Sequence, residues 1–130
     1  MLCVARSRVG LSIIGWVFSH MSSALPVKRL RETESLIAFY HPQPSYPVHI
    51  LLVPKRAIAS LANLTPADAD FLADLIPTVQ SLVAELGLEQ AGYRLIVNGG
   101  LYQDAAQLHF HLISGSEVRT AAKRQTSDRA

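Results

Sequence analysis

Apolar positions follow two rhythms along this chain. Phe71, Leu72, Leu75, Val79, Leu82, Val83 and Leu86 recur every three to four places. That spacing lays one apolar stripe along an α-helix. Thr65-Pro66-Ala67-Asp68 precedes the stripe. It offers a capping hydroxyl, a proline suited to the first helical position and an acid in the first turn. Gly87 supplies the stop. Pro77 falls inside the stripe, where it predicts a kink or a tolerated cost. The other rhythm is short and strand-like. It shows in LIAFY at 36–40, VHILLV at 48–53, YRLIV at 93–97 and QLHFHLI at 107–113. The 48–53 run is apolar at nearly every position, as in a central strand buried on both faces. Three prolines between 41 and 47 demand a loop, and Asn98-Gly99-Gly100 reads as a turn needing positive φ. Residues 57–61 read as a short helix. Within each strand pair the connection is too short for a crossover helix, so both pairs should be antiparallel. The expected fold class is α+β.

Composition narrows the picture. The chain has 130 residues, 49% apolar and 17% charged, which suits one folded domain and excludes a disordered one. Twelve basic against ten acidic residues leave a net charge of +2, too weak to argue for a nucleic-acid partner. No uninterrupted apolar run reaches the roughly 18 to 20 residues of a spanning helix, so no membrane partner is expected. The single cysteine, Cys3, excludes an internal disulfide and a cysteine-based zinc site. No metal and no cofactor are expected. Residues 1–31 hold Arg6, Arg8, Lys28, Arg29 and Arg31 and no acid. Two readings of the N-terminus stay open. Arg6 and Arg8, the apolar stretch 9–18 and Ser22-Ser23-Ala24 form the layout of a secretory leader. Ile13, Ile14, Trp16, Val17, Met21 and Leu25 form the face of an amphipathic helix. Residues 117–130 carry four basic side chains without a buriable pattern and read as a basic, disordered tail.

The chemistry sits in 107–113. On an extended strand Gln107, His109 and His111 share one face, and Leu108, Phe110 and Leu112 share the other. Imidazoles two residues apart stand about 7 Å apart, close enough to reach the oxygens of one phosphate. One neutral ring can attack while another donates to an oxyanion. The same pair also fits a half-exposed surface or two ligands of a transition metal, and the residues alone leave these open.

QLHFHLI after VNGG resembles the signature of the histidine triad (HIT) superfamily, His-φ-His-φ-His-φ-φ with φ apolar. The flanks resemble the family in order. LIAFYHPQPSYPVHILLVPKRAIASL is similar to its strand, proline loop and strand. TPADADFLADLIPTVQSLVAELGL is similar to its long helix, and GYRLIVNGG to the strand and turn before the triad. SIIGWVF and LPVKRLRETESL resemble its N-terminal helix and first strand. The resemblance covers residues 12–116, with 1–11 as an extension. It implies an antiparallel sheet with a long helix and a short N-terminal helix, in a homodimer. It implies a nucleotide phosphohydrolase or nucleotidyl transferase working at the α-phosphate of a nucleoside phosphoramidate or dinucleoside polyphosphate. The partner would be a purine nucleotide or conjugate, in the cytoplasm; export is the alternative if residues 1–24 are a leader.

The roles implied are specific. His109 matches the nucleophile, which forms a nucleotidyl-histidine intermediate. His111 matches the last histidine, which holds the phosphate, and His49 a histidine brought to the same site. Asn98 matches the asparagine near the ribose or phosphate, and Gln103 lies in the phosphate loop. Ala57 stands where a histidine is frequent, and three further positions depart from the pattern. Gln107 replaces the first histidine and can exchange hydrogen bonds but not shuttle a proton. Asp104 replaces a serine that aids the leaving group; a carboxylate there either serves as an acid, if its pKa is raised, or repels phosphate. His41 replaces an aspartate that grips ribose. If turnover is lost, the same residues make a non-catalytic nucleotide- or phosphate-binding module.

Overall fold

The computed structural model describes residues 28–118. The amphipathic segment at 12–25 and the chain from 119 onwards lie outside the described residues. In chain order the elements are β1 (Arg29–Glu32), β2 (Leu36–Tyr40), β3 (Val48–Pro54), α1 (Ala69–Glu85), α2 (Leu88–Ala91), β4 (Arg94–Val97) and β5 (Phe110–Ser114). Among the described residues the strands form one sheet in the order β1-β2-β3-β5-β4. Every neighbouring pair is antiparallel. The class is α+β, as expected.

The apolar run at 48–53 takes the middle of that sheet, between β2 and β5. Ile50, Leu51, Leu52 and Val53 are all buried, so both faces of β3 are covered. One face meets α1. Leu36, Ala38, Ile50, Leu52, Phe110 and Leu112 pack there against the helical stripe of Phe71, Leu75, Val79, Leu82 and Val83. Burial of this apolar area is the main force holding helix to sheet. Asp74 of α1 adds a polar tie: its carboxylate accepts from the hydroxyls of Thr33 at 2.8 Å and Ser35 at 2.6 Å. Those two donors hold the Asp74 carboxyl below its ordinary pKa.

The start of the helix follows the residues that announced it. Pro66–Asp68 form a 3₁₀ turn leading into α1, and Thr65 and Asp68 form a reciprocal capping box. The Asp68 carboxylate accepts from the Thr65 amide at 3.0 Å. Helix α1 continues through the exposed Pro77 from Ala69 to Glu85. Gly87, at φ 66, ends it, and α2 follows at once as a further turn. Only a residue free of a Cβ adopts that left-handed conformation without strain.

Two expectations change. Residues 57–61 form no helix; a 3₁₀ turn lies at Leu61–Asn63 instead. The carbonyls before it are engaged elsewhere: Ile58 accepts from the Leu108 amide at 2.7 Å, and Ala59 from the Gln103 side chain at 2.6 Å. A helix would have used such groups internally. The strand read over 107–113 is displaced, since β5 begins only at Phe110. The ladder with β4 starts there, with Val97 opposite Phe110. Gln107 and Leu108 instead bond to the chain at the end of β3 and just beyond it, at the Pro54, Arg56 and Ile58 carbonyls.

Candidate active site

Register brings the histidines together. Leu51 of β3 stands opposite His111 of β5, and His49 opposite Ile113. Side chains alternate along each strand, so His49 and His111 share the face opposite α1. His41 follows β2 and closes back on the same place, its amide donating to the His49 carbonyl at 2.8 Å. Ring centroids lie 4.4 Å apart for His41 and His49, 5.2 Å for His49 and His111, and 4.9 Å for His111 and His109. Four imidazoles thus form a continuous row.

The hydrogen-bond partners assign each tautomer. The Ser45 amide donates to His49 Nδ1 at 3.0 Å. A nitrogen that accepts carries no proton, so a neutral His49 holds its proton on Nε2. That Nε2 lies 2.9 Å from His111 Nδ1 and donates to it. His111 therefore carries its own proton on Nε2, a buried atom with no partner among the described residues. His109 is set the other way. Its Nδ1 donates to the Gln107 backbone carbonyl at 2.7 Å, so in the neutral ring Nε2 carries the lone pair. The Gln43 amide donates to His41 Nδ1 at 2.9 Å, so His41 also presents an Nε2–H.

Electrostatics agrees with uncharged rings. Burial, followed by the nearby His109, His49 and His41, pushes His111 down to about 3. Burial and then His41 push His49 down to about 4. Burial and then His109 lower His41. Removing imidazolium from water is costly, and adjacent cations add repulsion.

His41, His49 and His111 line an open cavity of about 340 Å³, a size suited to a small ligand. Asn98 and Asp104 reach the same cavity. His109 adjoins it through its edge-to-face contact with His111. Gln103 lies at a neighbouring cavity of about 240 Å³, which Asp104 also lines. Its amide is anchored on the Ala59 carbonyl. Gln107 is buried, and its side-chain amide is spent on backbone carbonyls. Its Nε2 donates to the Arg56 carbonyl at 3.0 Å and the Pro54 carbonyl at 3.4 Å. It acts on His109 through its backbone oxygen, a contact that shared strand-face alternation does not foresee. Among the described residues no three of His, Cys, Asp and Glu are grouped to hold a metal ion.

The sequence reading missed Ser45, Ile96 and Glu117, all of which line the histidine cavity. Glu117 opens the segment 117–130 that reads as a tail. Its signal was Ser114-Gly115-Ser116, a turn able to fold the chain back onto the sheet. Tyr46 stacks edge-on against His49 at 5.6 Å, whereas Tyr40 and Tyr102 are exposed.

A five-stranded antiparallel sheet, one long helix and a histidine row on the far face define a HIT-like domain. The chain belongs to the HIT domain family, which residues 23–118 match. An uncharacterized HIT-like protein of Helicobacter pylori is 32% identical over 95 residues, covering 72% of this chain and 88% of that protein. A HIT family hydrolase from Clostridium thermocellum shares the fold at TM-score 0.68 and 29% identity, covering 83% of this chain and 93% of the other. A histidine triad nucleotide-binding protein from Candida albicans matches at TM-score 0.65 and 26% identity, over 84% and 80% of the two chains. Among the described residues no helix is long and apolar enough to cross a membrane.

Proposed function

We propose that this protein is a nucleotide phosphohydrolase or nucleotidyl transferase that works through His109. The observation that carries the reading is the opposed tautomers of the histidine row. His109 keeps a lone pair on Nε2 while His111 keeps a proton on its own. One is a nucleophile, and the other a donor for an oxygen gaining negative charge. An unmatched buried donor costs about 1–3 kcal/mol, and a phosphate oxygen at His111 Nε2 relieves that cost. The resemblance to a hydrolase and to a nucleotide-binding protein supports a nucleotide as the ligand.

In this reading His109 Nε2 attacks the α-phosphorus of a phosphoramidate or dinucleoside polyphosphate. A P–N or P–O bond breaks, and the leaving group departs with the electron pair and takes a proton from solvent. Water then attacks phosphorus, the N–P bond breaks, and a nucleoside monophosphate leaves with His109 neutral again. His49 holds the His111 tautomer, and the Gln107 carbonyl holds that of His109. Asn98, Gln103 and Asp104 bound the phosphate and leaving-group end.

The test is hydrolysis of a fluorogenic adenosine phosphoramidate by the wild type and by His109→Ala. Turnover that falls by more than about a thousandfold in a folded variant supports the mechanism. Gln107, committed to backbone carbonyls, favours one second reading: a binding module without turnover. Saturable nucleotide binding with no product from the wild type would establish it.

A further inference from the structure

Two cavities of opposite hydrogen-bonding character meet at Asp104, which lines both. The histidine cavity offers donors. His41 and His111 each present an Nε2–H, because their other nitrogens are already engaged. The neighbouring cavity, of about 240 Å³, has three polar side chains, Ser60, Gln103 and Asp104; the rest of its lining is alanine and glycine. Each of the three is left with an accepting oxygen. The Ser60 hydroxyl directs its one proton to Asn63 Oδ1 at 2.6 Å, so towards a ligand its oxygen only accepts. Gln103 turns its amide nitrogen to the Ala59 carbonyl at 2.6 Å, and its Oε1 has no partner among the described residues. Asp104 is exposed, and its carboxylate joins no hydrogen bond or ion pair among the described residues. Among those residues no lysine or arginine lines either cavity.

Accepting oxygens gathered around one carboxylate call for a ligand group that only donates. A primary ammonium is such a group, with three N–H donors, no acceptor and a full positive charge. The small side chains beside it leave space for the methylenes that carry it. A polyphosphate fails on both counts, because it brings only acceptors and negative charge towards Asp104. We propose that the cavity of Ser60, Gln103 and Asp104 is an ammonium site. It receives a second, protonated amine carried by the leaving group while the phosphate faces His111. This rests on the hydrolase reading above and narrows it. Of the two substrate classes it selects phosphoramidates, and among those the ones whose leaving amine bears a further amine a few methylenes away. The ammonium takes no part in the bond changes; Asp104 sets which leaving group is held.

The experiment compares kcat/KM of the full chain for two adenosine phosphoramidates, one of n-pentylamine and one of tetramethylenediamine. The leaving groups are isosteric, and only the second ends in an ammonium. The wild type should favour the diamine compound about tenfold, the value of one charge-assisted hydrogen bond in an open site. Asp104→Asn should bring that ratio close to one. Asp104→Glu, which keeps the charge, should hold most of it. Because the readout is a ratio within each protein, any change common to both substrates cancels. A wild-type ratio near one, or a ratio unmoved in Asp104→Asn, overturns the ammonium site while leaving the hydrolase reading in place. Turnover of neither compound by the wild type overturns that reading, and the ammonium site with it.

Discussion

The two faces of β5 are built from alternating residues and held to different standards. Phe110 and Leu112 face α1 within a core shared with Phe71 and Leu82. His111, between them in sequence, faces the row of rings. On the apolar face what matters is volume, and many side chains of similar size would serve. On the histidine face what matters is which nitrogen meets which partner. A backbone amide on His49 decides the proton on His111 one ring away. One strand thus supplies both stability and chemistry, and period-two alternation keeps them apart.

That separation can be broken from either side. Leu112→Ala, fully buried in the core, should cost about 2–5 kcal/mol of stability, read from denaturant unfolding. The folded fraction should still bind nucleotide. Loss of binding at matched folded concentration would show that the two faces are coupled.

A smaller effect is expected at Gln107, whose side chain ties the segment before β5 to the end of β3. Gln107→Leu keeps the bulk and strips the donor from the Pro54 and Arg56 carbonyls. The cost should be about 1–3 kcal/mol, the penalty for a buried group left unmatched. No measurable shift in the unfolding midpoint would mean the carbonyls find other partners.

The smallest effect is graded and depends on pH. His49 and His111 are held down to about 4 and about 3 in the folded state, against an ordinary imidazole value of about 6.5. Below that value the unfolded chain takes up protons that the folded chain refuses. Stability should therefore fall as pH drops from about 6.5 towards 3. His111→Asn should show a shallower fall over pH 6.5 to about 5, above the range where most carboxylates titrate. Identical slopes for variant and wild type would count against a neutral His111.

Much of the fold was legible because it rests on strong local signals. The stripe from Phe71 to Leu86, the Thr65–Asp68 start and the Gly87 stop all produce what their spacing implies. The continuous apolar run at 48–53 correctly marked a central strand. Less legible were features set by partners distant in sequence. Ile58 and Ala59 serve the loop at 103–108 with their carbonyls, and no local pattern reveals that. His109 and His111 could be singled out, and His49 through the family resemblance. The hydrogen-bond relay that leaves one ring's Nε2 with the lone pair and its neighbour's with the proton depends on Ser45 and Gln107 backbone groups, which carry no sequence signature. Glu117 was missed because the contact that returns it to the cavity is a glycine's close approach to Pro47.

The most direct test of His109 as nucleophile is to quench the wild-type protein during turnover of an adenosine phosphoramidate and map its peptides by mass. The account predicts one adenylyl group on the peptide carrying His109, absent from His109→Ala. Product formation with no adenylylated peptide, or with the group on His111 or His49, would contradict it.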